Sequence, residues 1–237
     1  MTRAELLAIA KRGVLFSTQM VQALPPRGNK TRTMRAMKDV EQWACWKCGT
    51  LHDVEYDAEF GFLVCGCGGA VHDKDSGREI VPRHKVGDIV YVKETFDPIL
   101  ACKAEDICKE NPYVHSYHYK ADCAPEYLFC HKWRPSIFMP RAAARTFLRI
   151  TGIKVQRPKE LTVSEIEREG LVCNLKPFGS ERLCPTCEAG KVWCAMRDKW
   201  ISLWDSVQNK KELPVYGYDA NPICWVYELE SVVPDEG

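Results

Sequence analysis

Eight consecutive residues, Gly28-Asn29-Lys30-Thr31-Arg32-Thr33-Met34-Arg35, restrict the possible folds of this chain more than any other stretch. A lysine, two arginines and their neighbouring hydroxyls follow a glycine, just after the apolar run Met20 to Leu24 and the pair Pro25-Pro26. Burying cations without partners costs several kcal/mol each. The octamer is therefore expected at a turn lining a surface cleft, outside any core. A cleft of that composition suits anions or polar, nucleotide-like molecules. The plainer alternative is a solvated basic loop.

The 237 residues suffice for one large domain or a domain with insertions. No apolar run reaches eighteen residues, so no membrane span is expected. Leu6 to Ala10 is short for the apolar part of a secretion signal, and Lys11-Arg12 follow it where a signal has its cations first. The expected location is cytoplasmic. Net charge is only +1, but its distribution is uneven. Between Glu5 and Asp39, and again between Glu126 and Glu160, cations occur with no acid among them; the second window includes Arg134, Arg141 and Arg145. If these windows fold together they form a positive face suited to phosphate. Two separate solvated faces are the alternative.

Thirteen cysteines in such a chain read as metal ligands or buried thiols before disulfides. Cys45-Trp46-Lys47-Cys48 and Cys65-Gly66-Cys67 flank a hairpin-like stretch, Val54 to Phe62, with Gly61 as its turn. Two knuckles joined this way present four thiolates to a structural zinc with no open position for water. His52 and His72 are candidate substitutes. A second group comprises Cys184, Cys187, Cys194 and Cys173.

Gly13 to Ser17 and Ile89 to Glu94 read as strands, as do Ser116 to Lys120, Arg145 to Val155 and Ile223 to Val232. Thr162 with Glu165 three residues later is a capping box, and Gly170 stops the helix it opens. A second helix, Trp193 to Val207, carries a stripe of Met196, Trp200, Leu203, Trp204 and Val207, read as core. The composition of residues 41–82 marks an inserted module within 1–40 and 83–237. The expected class is α+β: a small β-barrel flanked by helices, with an inserted zinc ribbon.

The octamer fits the GxKxxTxR signature of the ASCH domain, a β-barrel related to the PUA RNA-binding fold. Val14 to Ser17, Gly87-Asp88 leading to Val92-Lys93-Glu94-Thr95-Phe96, and Trp133 to Arg141 resemble the longer, phage-associated ASCH proteins. Leu161 to Leu171 and Asn221 to Val226 extend the resemblance, which covers residues 13 to 232 apart from the cysteine-rich insertions. Phe138 and Ala143 depart from it, standing where a histidine and a small polar residue are usual. The resemblance implies RNA, single-stranded nucleic acid or a modified nucleoside as partner. Small bacterial members are amidohydrolases of N4-acetylcytidine; their lysine and threonine correspond to Lys30 and Thr33, and their glutamate to Glu169.

Those residues support a mechanism. Lys30, if neutral, is a base for the Thr33 hydroxyl, and neighbouring Arg32 and Arg35 favour that state. Arg35 or backbone N–H groups near Gly28 stabilise the oxyanion, and Glu169 protonates the leaving amine. Glu94 pairs with Lys30 or Arg35, or replaces Glu169 as the acid. Three alternatives stand: a non-catalytic RNA- or DNA-binding module, a phage-encoded zinc-dependent interaction protein, and a ribonuclease. For the last, no histidine pair or acidic metal cluster stands out in the sequence.

Overall fold

The computed structural model describes residues 1–98, 117–125, 128, 131–172 and 191–235, with backbone alone for 191–194. Thr2 caps the first helix, α1 (Arg3–Ile9): its hydroxyl accepts the Glu5 N–H while the Glu5 carboxylate accepts its own N–H. β1 (Gly13–Leu15) follows, then α2 (Thr18–Gln22), capped by the Ser17 hydroxyl. The octamer supplies β2 (Arg32–Ala36). Four three-residue strands come next, β3 (Trp43–Cys45), β4 (Glu55–Asp57), β5 (Phe62–Val64) and β6 (Val71–Asp73). They are followed by β7 (Ile89–Lys93), β8 (Phe96–Pro98), β9 (Tyr117–Tyr119) and the ten-residue β10 (Phe147–Gln156). The chain then forms α3 (Val163–Arg168), α4 (Lys191–Ser206), α5 (Leu213–Tyr216) and β11 (Cys224–Val232).

The main sheet has the order β1-β7-β10-β11-β2. β1 runs parallel to β7, while the β7/β10 and β11/β2 ladders are antiparallel. The arrangement is mixed α and β, and among the described residues its ladders do not close into the expected barrel. No described helix is long and apolar enough to cross a membrane.

Contacts divide the chain into two compact units, Met1–Gly28 with Ile89–Arg149 and Ser231–Gly237, and Asn29–Asp88 with Ile150–Glu230. Residues 41–82 belong to the second of these. The first unit packs Leu6 of α1 and the C-cap residue Ala10 against Tyr91, Phe96, Met139, Ala143, Ala144 and Phe147. The second packs Met196, Trp200 and Trp204 of α4 against Met34, Leu161, Ile166, Leu171 and Val226. The aromatic stripe on α4 is therefore core, at the i, i+4, i+8 spacing one helix face requires. Both indole N–H groups are satisfied, by the carbonyls of Pro158 (3.1 Å) and Tyr216 (2.8 Å). Val207 lies beyond the helix end and is exposed, so the stripe stops at Trp204.

Candidate functional site

The octamer begins exposed at Gly28 and Asn29, but its central side chains turn inward. Lys30, Arg32 and Thr33 are 1%, 0% and 2% exposed. The expectation of exposure failed because it priced unpartnered charge, and the chain supplies partners from α3 and β10. Thr162 and Glu165 form the expected capping box. Gly170 ends α3 with φ of +96°, a conformation few side chains tolerate. The last turn of α3 thereby faces residues 30–32. Lys30 Nζ donates to the main-chain oxygens of Arg32 (2.8 Å) and Glu169 (2.9 Å) and to Glu169 Oε2 (3.1 Å). Thr31 N–H meets the Arg168 carbonyl at 2.9 Å. Lysine and backbone together satisfy carbonyls that the helix end would leave orphaned.

Arg32 uses its fork on three acceptors: Glu165 Oε1 at 2.9 Å, Gln156 Oε1 at 2.8 Å and Glu169 Oε1 at 3.3 Å. It was expected to contact substrate, but its donors face inward. Desolvation pushes the Glu165 carboxyl up, but N–H donation from Thr162 and hydrogen bonds from Arg32 and Gln156 pull it down to about 2. A carboxyl depressed on folding stabilises the fold above its ordinary value and loses that contribution as pH falls through the folded one. Stability is therefore expected to drop by roughly 3 kcal/mol between pH 4.5 and 2 through this group. Denaturant titrations of wild type and Glu165→Gln across that range test it: the variant should lack this part of the slope.

Desolvation pulls the Lys30 ammonium below the ordinary lysine value; Glu169 opposes this and Arg35 and Arg32 add to it. Arg35 is likewise lowered, first by desolvation, with Glu169 and Tyr227 opposing and Arg83 assisting. Thr33 and Arg35 alternate with Arg32 and Met34 along β2, so they share the other side of the strand. Their cross-strand partners are Tyr227 and Trp225. No hydrogen bond engages the Thr33 hydroxyl among the described residues.

Glu94, suggested by the sequence as a partner of Lys30 or Arg35, has both oxygens engaged by Arg145, at 2.9 and 2.7 Å. Arg145 also pairs with Asp122 and lies 3.8 Å over the Tyr119 ring. It is a structural clamp of the first unit. Arg134 and Arg141 are exposed and form no ion pair among the described residues. Gly28 has a steric reason to be glycine: a Cβ would stand 2.4 Å from the Ala23 carbonyl oxygen. Many cations of the two acid-free windows meet acids from elsewhere, Arg27 with Asp122, Lys38 with Glu212, Lys154 with Glu165 and Glu228. Sequence-local charge excess is thus partly cancelled in space. A polar cavity of about 190 Å³ beside Gln156, lined also by His52, Asp53, Arg157 and Glu160, is smaller than the usual ligand pocket of roughly 300 Å³ or more.

Cys45, Cys48, Cys65 and Cys67 converge, with all four Sγ atoms within 4.8 Å of one another and no disulfide. Sγ separations are 3.4 Å for Cys45/Cys67 and 3.8 Å for Cys48/Cys65. A tetrahedron with metal–sulfur bonds of about 2.3 Å has edges of about 3.8 Å, so the thiols fit a metal ion. The β4/β5 hairpin joins the knuckles, turning at Gly61 as expected, and the β3/β6 ladder holds Cys45 opposite Val71. Desolvation pushes the Cys45 thiol up, but N–H groups of Cys48 and Lys47 and neighbouring thiols bring it down to about 6. Its hydrogen bond with Cys45, then desolvation, raises Cys67 to about 12. His52 Nδ1 stands 3.5 Å from Cys65 Sγ, whereas His72 stacks on Trp46 at 3.7 Å. Cys173, Cys184 and Cys187, with the Cys194 side chain, lie outside the described residues.

Sequence reasoning missed Gln156 and the pairing role of Glu165, which it read only as a cap. It also missed a cluster of Asp97, His118 and His131. A histidine in each of two aromatic segments, Tyr117-His118-Tyr119 and His131-Lys132-Trp133, was the available signal. No protein-family model, curated protein or solved structure matches this chain.

Proposed function

We propose that this chain is an ASCH-type, nucleoside-recognising amidohydrolase that removes the acyl group from N4-acylated cytidine, and that its four-cysteine site holds a structural zinc. The observation that carries the first part is the buried contact between Lys30 Nζ and Glu169 Oε2 at 3.1 Å, both side chains at most 2% exposed. Such a pair shares one proton and has two forms of equal proton count. One is ammonium with carboxylate; the other is amine with carboxylic acid. Desolvation of Lys30 favours its amine, and the second form holds the base and the acid the reaction requires.

In the acylation step the Thr33 hydroxyl gives its proton to the Lys30 amine while its oxygen bonds to the acyl carbon. Collapse of the tetrahedral adduct breaks the C–N bond, and the Glu169 acid protonates the departing exocyclic nitrogen. Water then attacks the Thr33 ester and gives a proton to the Glu169 carboxylate. The Lys30 ammonium returns its proton to the Thr33 oxygen, and the starting state is restored. Arg35 shares the Thr33 side of β2 and is a cation for the oxyanion or a substrate phosphate. Trp225 and Tyr227, cross-strand from Arg35 and Thr33, are buried against Tyr56 and His84 and back this side of β2 as packing.

For the metal, four thiolate donors suit zinc and leave no open coordination position, which supports a folding role. One second reading draws on the same contacts. The three hydrogens of Lys30 have three acceptors, so it caps α3 in a binding module without turnover.

Turnover of N4-acetylcytidine, followed by release of cytidine and acetate, separates the two. Thr33→Ala is expected to lower kcat by about 10²-fold or more, with folding unchanged by circular dichroism. A wild-type chain that releases nothing, or a Thr33→Ala chain as fast as wild type, ends the hydrolase reading and leaves the binding module.

A further inference from the structure

Three side chains distant in sequence meet on a hairpin of the first unit. β8 and β9 pair antiparallel with Asp97 directly opposite His118, so the two share a face. The segment around Arg134 is laid along β8 by reciprocal backbone bonds with Phe96, at 2.7 and 3.2 Å. That pairing carries His131 to the same carboxylate. Asp97 Oδ2 lies 3.1 Å from His131 Nδ1 and accepts the Lys132 N–H at 3.2 Å. A carboxylate on Nδ1 fixes the tautomer with its proton there and leaves Nε2 as the basic nitrogen. The two imidazole rings are 4.7 Å apart, and Trp133 is 4.7 Å from His131. His118, Lys132 and Arg134 are exposed.

Two imidazoles, one oriented by a carboxylate, can take a proton at one atom and return one at another. Among the described residues no serine, threonine or cysteine side chain hydrogen-bonds to either ring, and the nucleophile assigned to this site is one that the substrate carries. RNA brings its own, the 2′-hydroxyl beside each phosphodiester. Lys132 and Arg134 are placed in sequence to meet phosphates, and Trp133 gives a ring against which an unpaired base can stack. We infer that His118, His131 and Asp97 form a site that cleaves single-stranded RNA by internal transesterification. This is a separate activity, independent of Lys30, Thr33 and Glu169. His131 Nε2 takes the 2′-hydroxyl proton as the 2′-oxygen bonds to phosphorus. The bond from phosphorus to the 5′-oxygen breaks, and protonated His118 gives that oxygen its proton. The products are a 2′,3′-cyclic phosphate and a 5′-hydroxyl. Solvent exchange then resets the two rings, and no other reactant enters. Asp97 is a positioning residue.

The test incubates the full chain with a single-stranded RNA oligonucleotide and with DNA of the same sequence, and reads product ends by mass spectrometry. The expected result is cyclic-phosphate ends from RNA and intact DNA. His118→Gln, at an exposed position, and His131→Gln should each slow cleavage by about 10²-fold or more, and Asp97→Asn should lower kcat with KM unchanged. RNA left intact by wild type, DNA cut as fast as RNA, or cleavage retained in both histidine variants would overturn the inference. A chain inert toward acylated cytidine that still yields these ends keeps this site and loses the other.

Discussion

Replacing Cys45 and Cys65 together by serine is expected to abolish metal binding and to unfold residues 43–73 while the α4 core survives. The four strands that carry the knuckles are three residues long and form two-stranded ladders, extended by isolated bridges such as Val64/Ala70 and His72/Glu79. Such ladders are marginal in water without further support. The segment contributes few fully buried apolar side chains, chiefly Leu63 and Val71, with Ala44 close behind. That is far too little apolar area to offset the conformational entropy of some thirty residues. On the proposed reading a bound metal makes up the difference, because its binding free energy is folding free energy, about 10–16 kcal/mol for isolated zinc-finger peptides. The packing leaves no slack at the site: a Cβ on Gly69 would stand 2.6 Å from Cys45 Sγ. Elemental analysis should give one zinc per wild-type chain and none for the double variant. Hydrogen exchange should lose protection across β3 to β6 and keep it in α4. A variant with unchanged exchange in β3 to β6 would show that the thiols are not what holds this segment.

This segment was legible in the sequence because its determinants are local. Knuckle spacing, the glycine turn and the hairpin all lie within about thirty residues. The same holds for the Thr162/Glu165 box and the Trp200/Trp204 stripe, which are set by i, i+3 and i, i+4 geometry. What was not legible is pairing across long separations. Arg32-Thr33-Met34-Arg35 has too little apolar alternation to read as a strand; it becomes one because β11 offers a complementary edge, with Trp225 and Tyr227 opposite. Arg32 is buried because Glu165, 133 residues away, and Gln156, 124 away, converge on it. No spacing rule links those positions. The convergence of Asp97, His118 and His131 depends likewise on which strand Arg134 joins. Closure into a barrel was not legible for a related reason: alternation identifies strands but not whether the last of them meets the first.

The Lys30/Glu169 pair separates stability from function in one cycle of substitutions. Glu169→Leu leaves a fully buried lysine facing two carbonyls and no carboxylate, and is expected to cost about 3–5 kcal/mol. Lys30→Met removes the 3.1 Å partner of Glu169, leaving the 3.3 Å contact from Arg32 Nε and the charge of Arg35, and should cost a similar amount. The double variant, Lys30→Met with Glu169→Leu, should recover most of that loss, because apolar side chains of similar volume replace a buried ion pair at little or no net cost. Urea unfolding measures all four chains, and strict additivity of the two losses would show that the pair is not coupled. The pH dependence has a definite sign. Burial lowers the folded-state pKa of Lys30, so the unfolded chain binds more protons between that value and the ordinary lysine value near 10.4. In wild type this group's contribution is therefore greatest above the upper limit and is lost as pH falls to the lower one; Lys30→Met should lack that slope. Turnover should be absent in both single variants and in the restored double. A fold that regains its stability without the charges and never regains its chemistry would mean that the buried proton is kept for the reaction, since Gly170 and the Thr31 N–H already terminate α3 without it.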